Sequence, residues 1–382
     1  MLNGCLIKKA CMRKIALVTS TRAEYGIMSR LIEYLSKDKD IEFYLLVTGM
    51  HLSEKFGMTK NEITQPIYKE IDIEIEKEPS HSLALAITKF SDIFKEIKPD
   101  LTVLLGDRYE IMGVAQACML NNIPIAHLYG GDTTEGAIDE AIRHSITKMS
   151  HLHFTSCEQS KNRVIQLGEN PSRVFNVGSL AIENIKKIPL LNKEELEKSL
   201  NFKFNKKNLL VTFHPVTLEG DSKVQFQELL KAFEELNETN IIITCPNSDE
   251  GSEDIFELIK DFEQKHDNVK VYKSLGMKRY LSAMQFVDAV VGNSSSGIYE
   301  VPSFKIPTIN IGNRQKGRIQ AESIINCKAA KEDILQAIKK AYKEEFSETK
   351  NPYEGKNTLD KIVKILKNFD LNGIIKKEFY NL

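Results

Sequence analysis

The sequence predicts an α/β protein of two domains, each built on a mainly parallel sheet. Three observations carry that expectation. Short runs rich in Ile, Val and Leu alternate along the chain with segments of helical periodicity, which is the pattern of repeated βαβ units. The 382 residues exceed the size at which one hydrophobic core usually stops growing. Between residues 183 and 207 the text turns lysine-rich and loses its strands ("ENIKKIPLLNKEELEKSLNFKFNKK"), which marks a boundary.

The first domain, 12–182, contains the predicted strands "KIALVT" (14–19), "IEFYLLVT" (41–48), "LTVLLG" (101–106), "IPIAHL" (123–128) and "HLHFTS" (151–156). The helix after the fourth strand shows Ile138, Ala141, Ile142 and Ile146 at three- and four-residue spacing, so that face should be buried. It leaves Asp139 with Arg143, and Glu140 with His144, as i,i+4 pairs on other faces. The second domain, 183–357, offers "NLLVTF" (208–213), "NIIITC" (240–245), "VDAVVG" (287–292) and "IPTINI" (306–311). A closing segment, 358–382, starts with a helix at about 358–369 whose stripe of Leu359, Ile362, Val363, Leu366 and Phe369 must dock on something.

Net charge is −1, with 52 basic against 53 acidic residues, so neither nucleic acid nor an anionic membrane is a general partner. Any anionic ligand must be held locally. The cysteines Cys5, Cys11, Cys118, Cys157, Cys245 and Cys327 are scattered without C-x-x-C spacing, as in a cytoplasmic protein with reduced thiols. In "MLNGCLIKKACMRK" the charges follow a very short apolar stretch, the wrong order for a secretory signal. Met12 then reads as the natural start and residues 1–11 as a disordered extension. No apolar run is long enough to cross a bilayer.

Polar loops follow the strands, and in open parallel sheets ligands bind beyond the strands' carboxyl ends. "GNSSSGIYE" (292–300) is the strongest anion signal. Gly292 and Gly297 allow a tight turn, Asn293 and Ser294, Ser295 and Ser296 bring polar groups, and a helix start follows. A serine cap on a structural helix explains one serine but not three. Glu300, one turn on, fits either a ribose contact or a surface charge. Arg314 and Arg318 in "NIGNRQKGR", and Arg22 in "STRAEYG", are each ordinary as surface arginines, but three at strand ends in a neutral protein point toward phosphate. His214 in "FHPVT" is equally a structural histidine or a site residue. Asp107 in "GDRYE" lies at a strand end, where Arg108 beside it would keep it ionised. His151 and His153 alternate within a strand and have no ligand partner nearby in sequence, so no metal is expected.

Taken together, "TRAEYG", "TGMHL", "GDRYE", "GGDTTEGAIDEAIRHSITK", "HPVT", "PNSD", "GNSSSGIYE" and "NRQKGR", from about residue 13 to the end, resemble the hydrolysing UDP-N-acetylglucosamine 2-epimerases of sialic-acid and related nonulosonic-acid pathways. The resemblance implies a glycosyltransferase-B type fold: two Rossmann-like domains with a UDP-sugar in the cleft and a last helix crossing back to the first domain. It implies conversion of UDP-N-acetylglucosamine and water to N-acetylmannosamine and UDP. Nothing in the sequence calls for a cofactor or metal, and a homo-oligomer, a dimer or a dimer of dimers, is expected because dimers are the commonest soluble oligomers.

By the same resemblance Asp107 and Asp139 map onto catalytic carboxylates. Arg22, His214, Ser294, Ser295 and Arg314 map onto diphosphate contacts and Glu300 onto the ribose contact, with His214 also a candidate catalytic group. His51, Arg108, Arg143, His144, Asn247, Asp249, Asn293, Ser296, Gly297 and Arg318 complete the expected substrate-binding set, Arg143 and His144 having the alternative role of holding their helix. Two positions depart from the pattern. Tyr129 stands where many relatives carry a glutamate, leaving Asp132 or Tyr129 itself as candidates for the missing role. Ile27 stands where some carry a lysine. Tyr129 is consistent with an altered sugar pocket, one fitting substrate being UDP-2,4-diacetamido-2,4,6-trideoxyglucose of the legionaminic-acid route. A glycosyltransferase on the same fold and a non-catalytic nucleotide-sugar-binding regulator are the rival readings.

Overall fold

The computed structural model describes residues 12–134, 138–215, 222–246 and 252–382; the expected N-terminal extension, Asn247 and Asp249 lie outside the described residues. The chain forms two compact units. One runs to Asp132, resumes over Ile138–Ala181 and is completed by Gly355–Leu382; the other is Ile182–Glu354 together with Thr133 and Thr134.

In the first unit β1 (Arg13–Thr19), α1 (Arg22–Lys37), β2 (Ile41–Thr48), β3 (Lys69–Ile71), α2 (Pro79–Ile97), β4 (Leu101–Leu105), α3 (Tyr109–Leu120), β5 (Ile125–Leu128), α4 (Ile138–Met149), β6 (Leu152–Thr155), α5 (Glu158–Gln166) and β7 (Val174–Asn176) alternate. All seven strands are parallel, in the order β3-β2-β1-β4-β5-β6-β7. Side chains of a strand alternate between faces. Ile15 and Leu17 therefore enter the core under α1, while Ala16 and Val18 enter the opposite one under α2 and α3.

Helix α4 departs from the expected face. Ile142 and Ile146 are buried, but Ile138 is 76% exposed, and Arg143, at 3% exposure, takes a place in the interior. The stripe is rotated because Arg143 is drawn inward to Asp107.

The second unit holds most of α6 (Leu180–Ile185), then α7 (Lys193–Leu200), β8 (Lys207–Thr212), α8 (Ser222–Phe233), β9 (Thr239–Thr244), α9 (Ser252–Lys265), β10 (Val269–Tyr272), α10 (Gly276–Ala283), β11 (Ala289–Gly292), α11 (Ser296–Tyr299), β12 (Thr308–Ile311), β13 (Ile324–Cys327) and α12 (Lys331–Ala341). Its parallel sheet runs β10-β9-β8-β11-β12-β13. The last helix, α13 (Thr358–Asn368), returns to the first unit, where Leu359, Ile362, Val363 and Leu366 are buried against the α1 side of its core and Phe369 packs beside them. The Arg13 guanidinium caps the end of α13 by donating to the carbonyls of Leu366 (2.7 Å) and Phe369 (2.9 Å).

Both sheets share one winding: strands step outward from β1 or β8, and the order then reverses to the other side. Each therefore has a topological switch point at its carboxyl edge, between β1 and β4 in the first unit and between β8 and β11 in the second, where such folds bind ligands.

Candidate active site

At the first switch point β4 ends in Gly106, whose φ of +82° suits glycine, and delivers Asp107 and Arg108 just before α3. Asp107 forms an ion pair with the inward-pointing Arg143 of α4. The same guanidinium donates to the carbonyl of Asp132 at 2.9 Å and to Glu140 at 3.2 Å. Glu140 also meets His144 at 3.1 Å, as the helical spacing predicts. The expected role of Arg108 changes. Its Nε sits 2.5 Å from the buried Glu110, and the cation paired with Asp107 is Arg143, 36 residues further on. Asp139, on the first turn of α4, has its pKa raised, first by burial and then by the negative charge of Asp107, against the pull of Arg143 and Arg108. Asp107, Asp139, Arg143 and Arg108 thus form one electrostatic cluster.

The two candidates for the missing glutamate are anchored elsewhere. Asp132, 8% exposed, accepts from Ser156 (2.9 Å) and Ser160 (2.5 Å) through one oxygen, which ties the β5 loop to the start of α5. Gly131 before it has φ +83°, and a Cβ there would lie 2.2 Å from the Ser160 carbonyl, so only glycine fits. The Tyr129 hydroxyl lies 2.7 Å from Ser179 Oγ and accepts from the Ala181 N–H at 3.2 Å. Its φ of +64° is a costly conformation for an aromatic residue, and these contacts hold it in place. Arg22, at the start of α1, is exposed and pairs with Glu62 at 3.3 Å.

His51 is not presented to a ligand. It is fully buried, with Nε2 3.1 Å from Thr19 Oγ1 and Nδ1 2.9 Å from Thr59 Oγ1, and burial lowers its pKa to about 4. Sequence reasoning overlooked His127 of β5. Its Nε2 lies 2.8 Å from the Gly106 carbonyl and its Nδ1 3.3 Å from Thr147, so it braces the turn that carries Asp107. Burial lowers the pKa of His127 to about 3, which keeps it neutral and fixes the tautomer with Nε2 as donor. The only sequence signal for it was a polar residue inside an apolar strand. His153 does have a carboxylate partner, Glu169 at 3.0 Å, held also by Lys148 and Lys377. Among the described residues no group of His, Cys, Asp and Glu is arranged to hold a metal ion.

At the second switch point Asn293 is the hub. It is 1% exposed, its Oδ1 accepts from the His214 N–H at 2.7 Å, and its Nδ2 donates to the His214 carbonyl at 2.8 Å. Its own carbonyl accepts from Arg314 (3.2 Å) and Gln315 (2.8 Å). Through its side-chain amide and its backbone carbonyl Asn293 joins the loops after β8, β11 and β12, bringing His214, Ser294, Ser295 and Arg314 into one region. Gly292 permits this: its φ is +138°, and a Cβ would lie 1.9 Å from the Thr212 carbonyl. Burial and the nearby Arg314 charge lower the His214 pKa to about 4, so His214 is a neutral polar group.

The helix after the serines is shorter than the sequence suggests. Helix α11 covers only Ser296–Tyr299, too few aligned peptides for a strong dipole. Gly297 packs against Thr308, whose hydroxyl donates to its carbonyl at 2.8 Å. Burial raises the Glu300 pKa, while the Ser296 hydroxyl and Arg318 pull it back. Arg318 has protein partners of its own. It donates to Thr133 O (3.2 Å), Thr134 Oγ1 (3.3 Å) and Gln315 Oε1 (2.6 Å), and lies over the Tyr299 ring.

Two doubly wound Rossmann-like domains, one with coupled acids at its switch point and the other with serine-rich polar loops at its own, have the architecture of the glycosyltransferase-B type of fold, and solved structures agree. Neisseria meningitidis UDP-GlcNAc 2-epimerase, solved bound to UDP-GlcNAc, superimposes with a TM-score of 0.79 at 19% identity, covering 93% of this chain and 100% of that one. A family model described as UDP-N-acetylglucosamine 2-epimerase matches residues 33–367. The chain belongs to that family. It is 44% identical to the GDP/UDP-N,N'-diacetylbacillosamine 2-epimerase (hydrolyzing) of Campylobacter jejuni, covering 97% of this chain and 99% of the relative. It is 42% identical to the polysialic acid biosynthesis protein P7 of Escherichia coli, covering 97% and 98%.

Proposed function

We propose that the chain is a hydrolysing 2-epimerase of UDP-2-acetamido sugars, converting UDP-N-acetylglucosamine and water to N-acetylmannosamine and UDP for nonulosonic-acid synthesis in the cytoplasm. The observation that carries this reading is the coupled pair Asp107 and Asp139, one ion-paired to a buried arginine and the other with a raised pKa. Two neighbouring carboxyls in unlike surroundings are what an epimerisation needs.

The proton on carbon 2 of the sugar is not next to a carbonyl, so removing it directly is very unfavourable. Departure of UDP solves this. As the C1–O bond breaks, its electron pair leaves with UDP, oxocarbenium character acidifies the carbon 2 proton, and Asp107 accepts that proton. The product is a 2-acetamidoglucal. Asp139 then gives a proton to carbon 2 on the opposite face as water bonds to carbon 1 and passes its surplus proton to the Asp139 carboxylate, while Asp107 releases the proton it took to solvent. Each acid/base step is typically worth about 10² to 10⁴ in rate. In the second unit His214, Ser294, Ser295 and Arg314 serve the diphosphate, stabilising charge as it develops on the leaving group, and Glu300 serves the ribose.

A second substrate is favoured by a specific residue: Tyr129 replaces the acidic group of many relatives, which suits UDP-2,4-diacetamido-2,4,6-trideoxyglucose. The similarity to the Campylobacter protein supports it, and the similarity to the polysialic acid protein supports the first. Incubation with each UDP-sugar in D₂O, followed by proton NMR, tests the proposal. Free 2-epimer deuterated at carbon 2 is expected from at least one of them. Transfer only to an added acceptor, or binding of both without turnover, would sink it.

A further inference from the structure

Behind the reacting acids lies a second pair of carboxyls that the mechanism above does not use. Glu24 of α1 and Glu110 of α3 are buried, at 5% and 0% exposure, on either side of Ser20, the residue that follows β1. Ser20 Oγ lies 2.9 Å from Glu24 Oε2 and 3.0 Å from Glu110 Oε1, and the Ser20 N–H donates to Glu24 Oε2 at 2.7 Å.

A hydroxyl has one proton. It can donate to only one of these carboxyls, so for both contacts to be hydrogen bonds the other carboxyl carries a proton of its own. Arg108 decides which. Its Nε is 2.5 Å from Glu110 Oε1, so Glu110 is the ionised partner and Glu24 the acid. The hydrogen bonds then run in one direction, from Glu24 through Ser20 to Glu110, with Arg108 at the far end. A single guanidinium beside two buried carboxyls leaves a second ionisation without a counter-charge, which is strongly disfavoured. The pKa of Glu24 is accordingly raised to about 8, by burial first and the Glu110 charge second, against the pull of Arg108. The Arg108 charge also bears on Asp139.

We propose that Glu24, Ser20 and Glu110 form a buried acid–hydroxyl–carboxylate relay that holds one proton, fixes Arg108 and thereby sets the field felt by Asp139. Glu24 and Glu110 are positioning residues, and their effect on the reaction rests on Asp139 being one of the reacting acids.

Two substrate-free measurements test it. Between pH 5 and 8 the native relay keeps a proton that the unfolded chain releases, so wild-type stability must fall with rising pH relative to E24Q, which mimics the neutral acid. The melting-temperature difference between the two should widen by about 5 °C over that window. Parallel curves would mean that both carboxyls are ionised and would overturn the relay. Second, carboxyl ¹³C NMR should show Asp139 titrating lower in E110Q and higher in R108Q, each by about half a pH unit. An unmoved Asp139 in a folded variant of either kind would break the link to the reaction. A protein that passes both tests yet turns over no UDP-sugar would refute the proposed reaction and leave the relay standing.

Discussion

Asn293 closes a two-bond ring on the backbone of His214, accepting from its N–H at 2.7 Å and donating to its carbonyl at 2.8 Å, across a sequence gap of 79 residues. The ends of β8 and β11 are already paired through their backbones, and this side chain ties the loop after β8 to the loop after β11. In Asn293→Ala both His214 groups remain buried and unmatched, at a cost of about 2 kcal/mol. UDP affinity, measured by titration calorimetry, should fall at least about tenfold. Unchanged affinity in a folded variant would remove the ring from the diphosphate site.

Arg143 holds Asp107 with a planar guanidinium while also reaching Asp132 and Glu140. Lysine offers a point charge and cannot serve all three. Arg143→Lys is expected to lower kcat about 100-fold with little change in KM, since the loss falls on acid/base geometry. A change confined to KM would assign Arg143 to substrate binding instead.

Asp107→Asn should abolish turnover while UDP affinity stays within about tenfold. Asp139 is expected to act in its protonated form, because its pKa is raised. Activity should then decline as pH rises through that raised value, and Asp139→Asn should remove the decline along with most of the rate. A wild-type profile that is flat on its alkaline side would contradict the assignment.

Five buried histidines, His153 among them, have their pKa lowered by burial and set the acid limit of the fold. Burial holds His51, His151 and His214 at about 4 and His127 at about 3, all below the ordinary histidine value of 6.5. The unfolded chain therefore takes up protons that the native chain refuses. Their contribution to stability is complete above pH 6.5 and is lost as pH falls toward 4. Melting temperature should drop steeply over that interval, and His51→Gln should make the drop shallower if the replacement keeps the Thr19 and Thr59 contacts. An equally steep drop in the folded variant would exclude His51 from the titrating set.

Leu366 is fully buried where α13 meets the first unit. Leu366→Ala should cost about 3 kcal/mol by leaving a cavity, read as a lowered urea midpoint at unchanged slope. A loss below about 0.5 kcal/mol would mean that α13 contributes little to the core.

The nine strands read from the sequence are the interior ones, whose Ile, Val and Leu runs are buried from both faces. The four that escaped notice, β3, β7, β10 and β13, are the edge strands of the two sheets. They are three or four residues long and carry polar residues such as Lys69, Glu70, Asn176, Lys270 and Asn326, so no apolar run announces them. Edge strands commonly look this way.

For the candidate site, motifs located the loops but not the commitments of individual side chains. His51 resembled a ligand contact until its ring was found between Thr19, 32 residues away, and Thr59. Arg318 looked like a phosphate ligand, yet its partner Thr133 lies 185 residues away. Such pairings are set by the winding of the sheets and leave no local trace in the sequence.

Gly355–Leu382 completes the unit that begins the chain, so the second unit is inserted within the first. During synthesis the inserted unit has all its strands before the enclosing one receives its final helix. The apolar flank of α1 that awaits Leu359, Ile362 and Leu366 stays uncovered until the whole inserted unit has been made. A chain halted before α13 would leave that half-finished core exposed, the kind of surface on which aggregation starts.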